Sequence, residues 1–400
     1  MTPPRRRGSV RALPALIVAL LLMLSGAPIA TAASPTPEAQ NLRGPGVGWK
    51  ADPVASGKAS TQPCASVLFI GVRGSGEEKP YGKTITGVRD GLAARWAGRG
   101  SVRQVWLDYP AVDPHTLKDD SLSALLFDEK MPSTKYFDSA DIGATRLASL
   151  LRSQGKRCPS EWVVLAGYSQ GAQAITSALA QTDVSARLAG AILAGNPSHY
   201  PGQNVQELSG SAPLTAVGLA ALLYDLRAHA AAVGGSRDEQ VKELIQATID
   251  LHNGDQNLIE LRSAMNRAKA VVPAGAYPAT YSICQSGDPV CDAAPAMTRI
   301  LSVQSTWEEE LRKASSAHAV YTPAVMKSSL NATANRMNAV ARAASKGHPV
   351  PRGQQVRVAV GRWGPLQIGV AVGAGVVGVA LGFGAATLKG RCRRKSLARS

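Results

Sequence analysis

The chain has 400 residues, five cysteines and a formal net charge of +16. That is longer than one small domain needs, and the charge invites a nucleic-acid reading. The distribution excludes it. Residues 1–32 hold four Arg and no acid, residues 347–400 hold nine Lys or Arg and no acid, and the stretch between is close to neutral. The basic excess belongs to the two ends and to membrane topology, not to a nucleic-acid face.

In chain order, residues 1–32 read as a secretory signal: Arg5, Arg6, Arg7 and Arg11 form the charged part, Ala12–Leu24 the apolar part, and Ala30-Thr31-Ala32 a small-residue cleavage site. Residues 33–62, rich in Pro, Gly, Ser and Ala, read as a flexible leader. A folded domain is expected over 63–346. Strands are predicted at Ser66–Val72, Val102–Tyr109, Trp162–Ala166, Leu188–Ala194 and Thr280–Cys284, from short apolar runs. Helices are predicted at Tyr81–Arg99, Ser139–Arg152, Gln170–Gln181 and Tyr321–Ser345. Alternating strands and helices predict a central parallel sheet covered on both faces, a three-layer α/β architecture.

Residues 198–273 break the alternation. They show no strand-like run and read as a helical insertion, with an Ala- and Leu-rich helix over 213–233, a capping box at Ser236–Glu239 opening a second helix, and a third around Leu258, Leu261 and Met265. Residues 347–365 read as a linker. Residues 366–388 carry no charge and are expected to be a C-terminal transmembrane helix, since about 23 residues at 1.5 Å each span a bilayer. The basic tail 389–400 then places the chain end in the cytoplasm and the folded domain outside, anchored in the cell membrane.

Cys64, Cys158, Cys284 and Cys291 fall in the exported part, an even number suited to two disulfides. Three pairings are possible. The simplest joins the near neighbours Cys284 and Cys291, and Cys64 with Cys158. Cys392 lies past the expected span.

The chemistry centres on Gly167-Tyr168-Ser169-Gln170-Gly171, between an apolar strand and a helix. In a strand–Gly-x-Ser-x-Gly–helix unit the serine sits on a sharp turn that lifts its hydroxyl clear of the sheet, and the next backbone N–H, that of Gln170, faces the oxygen of an attacked carbonyl. A serine needs a base, and in this kind of unit an acid and then a histidine follow it. His115 precedes it, His348 is in the linker, and His199, His229 and His252 fall in the insertion, which leaves His318. Asp288, in a loop bracketed by Cys284 and Cys291 after a strand, is the acid candidate, held rigidly enough to orient an imidazole. A second oxyanion donor is expected in the Gly-rich turn Arg73-Gly74-Ser75-Gly76-Glu77 after the first strand.

Arg-Gly-Ser-Gly-Glu, Gly-Tyr-Ser-Gln-Gly, the Cys-x₆-Cys loop around Gly-Asp-Pro-Val, and His-Ala-Val-Tyr together resemble the cutinase family of serine esterases, over residues 64–197 and again over 280–325. The resemblance implies an α/β-hydrolase fold, ester hydrolysis through an acyl-enzyme, and no metal or organic cofactor. It implies Ser169 as nucleophile, His318 as base and then acid, Asp288 as its orienting acid, Ser75 and Gln170 as the oxyanion hole, and the cysteine pairing just described. The helical insertion and the membrane anchor depart from small secreted cutinases. The insertion is open to two readings, a lid over an acyl pocket or a packing module. The expected activity is that of a cell-surface carboxylesterase or lipase acting on an ester or lipid substrate. Its alternatives are an acyltransferase with the same triad and an anchored binding protein. No nucleic-acid partner is expected, and the sequence carries no sign of an oligomeric state.

Overall fold

The computed structural model describes residues 48–345, apart from Lys118, Glu129 and Met131. Its strands are β1 (Val54–Ala55), β2 (Val67–Val72), β3 (Val102–Trp106), β4 (Trp162–Tyr168), β5 (Leu188–Ala194), β6 (Gln206–Gly210) and β7 (Thr280–Cys284). They form one sheet in the order β1-β3-β2-β4-β5-β7-β6. Every pairing among them is parallel. The helices are α1 (Gly82–Ala93), α2 (Asp119–Phe127), α3 (Lys135–Arg157), α4 (Gln170–Gln181), α5 (Leu219–Val233), α6 (Arg237–Asn253), α7 (Leu258–Arg267), α8 (Ala294–Leu301), α9 (Trp307–His318) and α10 (Lys327–Ser345).

Side chains on a strand alternate between faces, and the core divides accordingly. Leu68, Ile70 and Val72 of β2 join Leu147 and Leu151 of α3 and Ile175 and Leu179 of α4. Val67 and Phe69 face the other way, with Ile85, Val88 and Leu92 of α1, Met326 just before α10, and Leu330 and Met337 of α10. With both faces covered, β2, β4 and β5 read as nearly continuous apolar runs. Each Leu, Ile or Phe so buried contributes about 1.5–3 kcal/mol. A third core lies away from the sheet, where Leu222 and Leu226 of α5 meet Leu244 and Leu251 of α6, Leu261 and Met265 of α7, and Met297 of α8.

Several expectations need correction. The expected C-terminal transmembrane helix is not supported. No described helix is long and apolar enough to cross a membrane, and residues 366–388 lie outside the described residues. The described residues form a three-layer α/β fold. The expected signal, linker and basic tail also lie outside the described residues. Part of the expected leader belongs to the fold, because Trp49 is buried against Phe69 and Val54 pairs with β3. Residues 198–273 do contain a strand. β6 is polar and half-buried because it is the sheet edge, with only β7 beside it. Residues 292–317, for which no element was expected, form most of α8 and α9. The closing helix begins at Lys327 instead of Tyr321.

Candidate active site

Strand order reverses between β2 and β4: β3 lies to one side of β2, and the later strands continue on the other. Open α/β sheets build sites at the carboxyl ends of such neighbours. The Ser75 turn follows β2, and Ser169 follows β4.

Ser169 alone makes the turn from β4 into α4. Its φ is 53° and ψ −125°, a conformation that costs a non-glycine residue on the order of 1–3 kcal/mol. Neighbouring backbone holds it there. Its N–H donates to the Ala194 carbonyl at 2.9 Å, and its own carbonyl accepts from Ala172 and Gln173 at 2.9 and 3.1 Å. Gly171 is required by close approach, since a Cβ there would lie 2.2 Å from the Val72 carbonyl oxygen. The same contact fixes the start of α4 against the end of β2.

Gln170 is the first residue of α4, so its N–H has no partner within the helix. Its side chain is fully buried. Oε1 accepts from Ser139 Oγ at 2.9 Å, and Nε2 donates to the Tyr136 carbonyl at 2.9 Å. The side chain thereby anchors the backbone that carries this N–H. Ser75 is half-buried in the turn beyond β2. Arg73 and Glu77 shape that turn. The buried Arg73 guanidinium donates to the carbonyls of Glu77 and Tyr109, at 3.0 and 2.7 Å. The Glu77 carboxylate accepts from the N–H groups of Gly74 and Lys83, at 2.7 and 3.0 Å.

Asp288 is fully buried in the loop after β7. A buried carboxylate must be paired, and three donors meet it. They are His318 Nδ1 at 2.8 Å, the Val290 N–H at 2.9 Å, and the Tyr321 hydroxyl. Cys291 Sγ also lies 3.4 Å from it; that sulfur belongs to a disulfide and carries no proton, so the contact is packing. Two disulfides form, Cys284–Cys291 and Cys64–Cys158. The first closes the Asp288 loop.

His318 ends α9. Donation from Nδ1 to Asp288 leaves Nε2 as the basic nitrogen of the neutral ring. Nε2 is buried, with no hydrogen-bond partner among the described residues. The Tyr168 ring stacks on the imidazole, with centroids 4.6 Å apart, and its hydroxyl donates to the His318 carbonyl at 2.8 Å. Gly195, at φ +56°, leaves room for the imidazole, because a Cβ there would lie 2.5 Å from His318 Cε1. Burial first, and then the Asp288 charge, hold the Tyr321 phenol well above its ordinary pKa, so it stays a donor to the acid.

The geometry thus joins His318 to Asp288 and sets Gln170 directly after Ser169, with Ser75 on the adjoining turn. Sequence reasoning missed Tyr168, Tyr321, Arg73 and Glu77 as supports, although all four lie in its quoted motifs. Among the described residues, no group of three or more His, Cys, Asp or Glu side chains is placed to hold a metal ion.

Comparison with known proteins places the chain in a family. The Cutinase family model matches residues 63–309, a stretch that contains Ser75, Ser169, Gln170 and Asp288 and stops short of His318. A cutinase of Coprinopsis cinerea is 29% identical over 137 residues, 34% of this chain and 58% of that protein. A cutinase of Botryotinia fuckeliana is 29% identical over 157 residues, 38% of this chain and 67% of that protein. The chain thus spans little more than half the length of the first of these relatives. Among solved structures, a cutinase-like protein from Cryptococcus sp. is 17% identical with a TM-score of 0.39, over 69% of this chain and 98% of that chain. The chain belongs to the cutinase family, whose members are serine hydrolases of carboxylic esters.

Proposed function

We propose that this protein is an exported serine carboxylesterase that works through an acyl-enzyme on Ser169. One observation carries the reading: a buried His318 Nε2 without a partner among the described residues, its ring held by a buried Asp288 and stacked on Tyr168, the residue before a strained serine. Two disulfides support export, because such bonds persist in oxidising compartments.

In the proposed reaction, Ser169 Oγ attacks the ester carbonyl carbon while His318 Nε2 takes its proton. Asp288 holds the ring in the required tautomer and stabilises the imidazolium. The Gln170 N–H and the Ser75 turn stabilise the oxyanion. The carbonyl re-forms, the C–O bond to the alcohol breaks, and His318 returns the proton to the leaving alkoxide. Water then attacks the acyl-enzyme by the same steps, releasing the acid and restoring Ser169.

The test is hydrolysis of p-nitrophenyl acetate and butyrate by the wild type beside Ser169→Ala. The substitution is expected to lower kcat on the order of 10⁴- to 10⁶-fold. Wild-type turnover in Ser169→Ala would refute the assignment. Product analysis with an added alcohol separates hydrolysis from acyl transfer.

A further inference from the structure

We propose that the recess between α7, the end of α4 and the loop joining β5 to β6 is a binding site for a phosphate group, presented by a soluble phosphate or by a lipid headgroup. None of its lining residues belongs to the Ser169, Asp288 or His318 segments, so binding there does not depend on the esterase reading.

Helix α7 builds one wall. Arg262, Asn266 and Lys269 line the recess. Asn266 and Lys269 come four and seven residues after Arg262, the spacing of one helix face, so that face continues just past the helix end. Asn204 faces them from the loop after β5, and its Nδ2 donates to the Val272 carbonyl at 2.6 Å. Residues 271–274 and Ala180 supply an apolar side. The recess measures about 330 Å³, at the lower end of the roughly 300–1,000 Å³ of small-molecule sites. That leaves room for a phosphate and the carbon group that carries it.

Charge selects an anion. Two cations and no acid line the recess. Neither Arg262 nor Lys269 has an ion-pair partner among the described residues. A guanidinium offers a fork of N–H donors that matches phosphate oxygens, and an ammonium adds a point charge. A third donor stands beside Arg262. Tyr200 is buried, and its hydroxyl has no hydrogen-bond partner among the described residues. Burial pushes this phenol up to about 12, against the opposing charge of Arg262, so it remains a donor. Buried hydroxyls are rarely left unpaired, and an oxyanion held by Arg262 would supply the acceptor.

Backbone strain fixes Lys269. It follows α7 at φ 53°. Its N–H donates to the Asn266 carbonyl at 3.0 Å, and the Ala270 N–H to the Met265 carbonyl at 2.9 Å. This helix ending favours glycine at the left-handed position, and a lysine there carries strain that glycine avoids. A cation is also favoured by the helix dipole, but Arg267 already supplies one in the last turn. The strained lysine sets its ammonium at the rim of the recess.

The test is calorimetric titration of the purified full-length protein with inorganic phosphate at constant ionic strength, which holds general screening fixed. One saturable site is expected in the wild type and equally in Ser169→Ala, so binding and hydrolysis fail separately. Arg262→Gln and Lys269→Gly should each weaken binding about tenfold, the loss expected for one charge-assisted hydrogen bond. Tyr200→Phe should weaken it about fivefold. Glycine suits the left-handed position, so Lys269→Gly should keep or raise Tm in phosphate-free buffer, which separates lost binding from unfolding. Co-sedimentation with phosphatidylcholine vesicles, with and without phosphatidic acid, distinguishes the two sources. Vesicle binding that needs both phosphatidic acid and Lys269 assigns a lipid headgroup, and phosphate binding without it assigns a soluble phosphate. No saturable phosphate binding, or an affinity unchanged in both Arg262→Gln and Lys269→Gly, would overturn the site.

Discussion

Ser169, Asp288 and His318 were legible because each sits in a local signature. The serine is flanked by glycines between a strand and a helix, the acid by two cysteines, and the histidine remained after elimination. The two tyrosines that support them were not legible, because their contacts cross the chain. Tyr168 bonds to a carbonyl 150 residues away, and Tyr321 bonds to an acid 33 residues back. A phenol in sequence gives no sign of which distant acceptor it will meet. Replacing Asp288 by Asn should lower kcat on the order of 10⁴-fold through loss of the tautomer-holding acid, with the circular dichroism of the fold retained. Tyr321→Phe removes one of three donors to a buried carboxylate, so kcat for p-nitrophenyl acetate should fall about tenfold with KM little changed. An unchanged kcat would make Tyr321 a packing residue only.

Among the elements, the parallel strands and their covering helices followed from the alternation of apolar runs. Misses fell where tertiary context overrides local pattern. β6, Gln-Glu-Leu-Ser-Gly, is polar because it is an edge. α8 has eight residues and opens on Ala-Pro, too short to show a periodicity. α9 did carry a start signal, the Thr306–Glu309 capping box with three acids in its first turn. Tyr321 stays outside α10, where its hydroxyl reaches Asp288. Helices α5–α7 bear on the choice between lid and packing module. The Leu219 N–H donates to the Val290 carbonyl at 2.9 Å, the Ala293 N–H to the Val217 carbonyl at 2.7 Å, and the Gly218 N–H to the His199 carbonyl at 2.8 Å. A segment bonded at three places to the acid loop and the turn after β5 is expected to act as a packing module, since opening it would disturb Asp288. Ester hydrolysis should therefore rise smoothly through the critical micelle concentration of an added detergent. An abrupt jump there would mark a lid.

At the scale of the whole molecule, the Cys64–Cys158 bridge ties the approach to β2 to the end of α3 across a sequence separation of 94 residues. Replacing both cysteines by serine should cost about 2–5 kcal/mol of stability, read from the urea midpoint. Asp225 gives the fold a pH dependence. Burial raises its carboxyl to about 6, opposed by His229 and Arg267 and reinforced by Glu260. A group raised on folding favours the folded state below its unfolded pKa near 3.8, and that contribution is lost as pH rises through about 6. Asp225→Asn should therefore raise Tm more at pH 8 than at pH 5. An equal shift at both would contradict the burial argument. The strand order and the packing of the α5–α7 group could not be read from sequence, because both depend on which distant faces meet.

The central claim is that Ser169 is an activated nucleophile. The most direct measurement is intact and peptide mass spectrometry of the full-length protein after reaction with a fluorophosphonate, with Ser169→Ala alongside. The account predicts a single phosphonyl adduct on the peptide containing Ser169, and none on the variant. An unlabelled wild type, or an adduct that persists in Ser169→Ala, would contradict it.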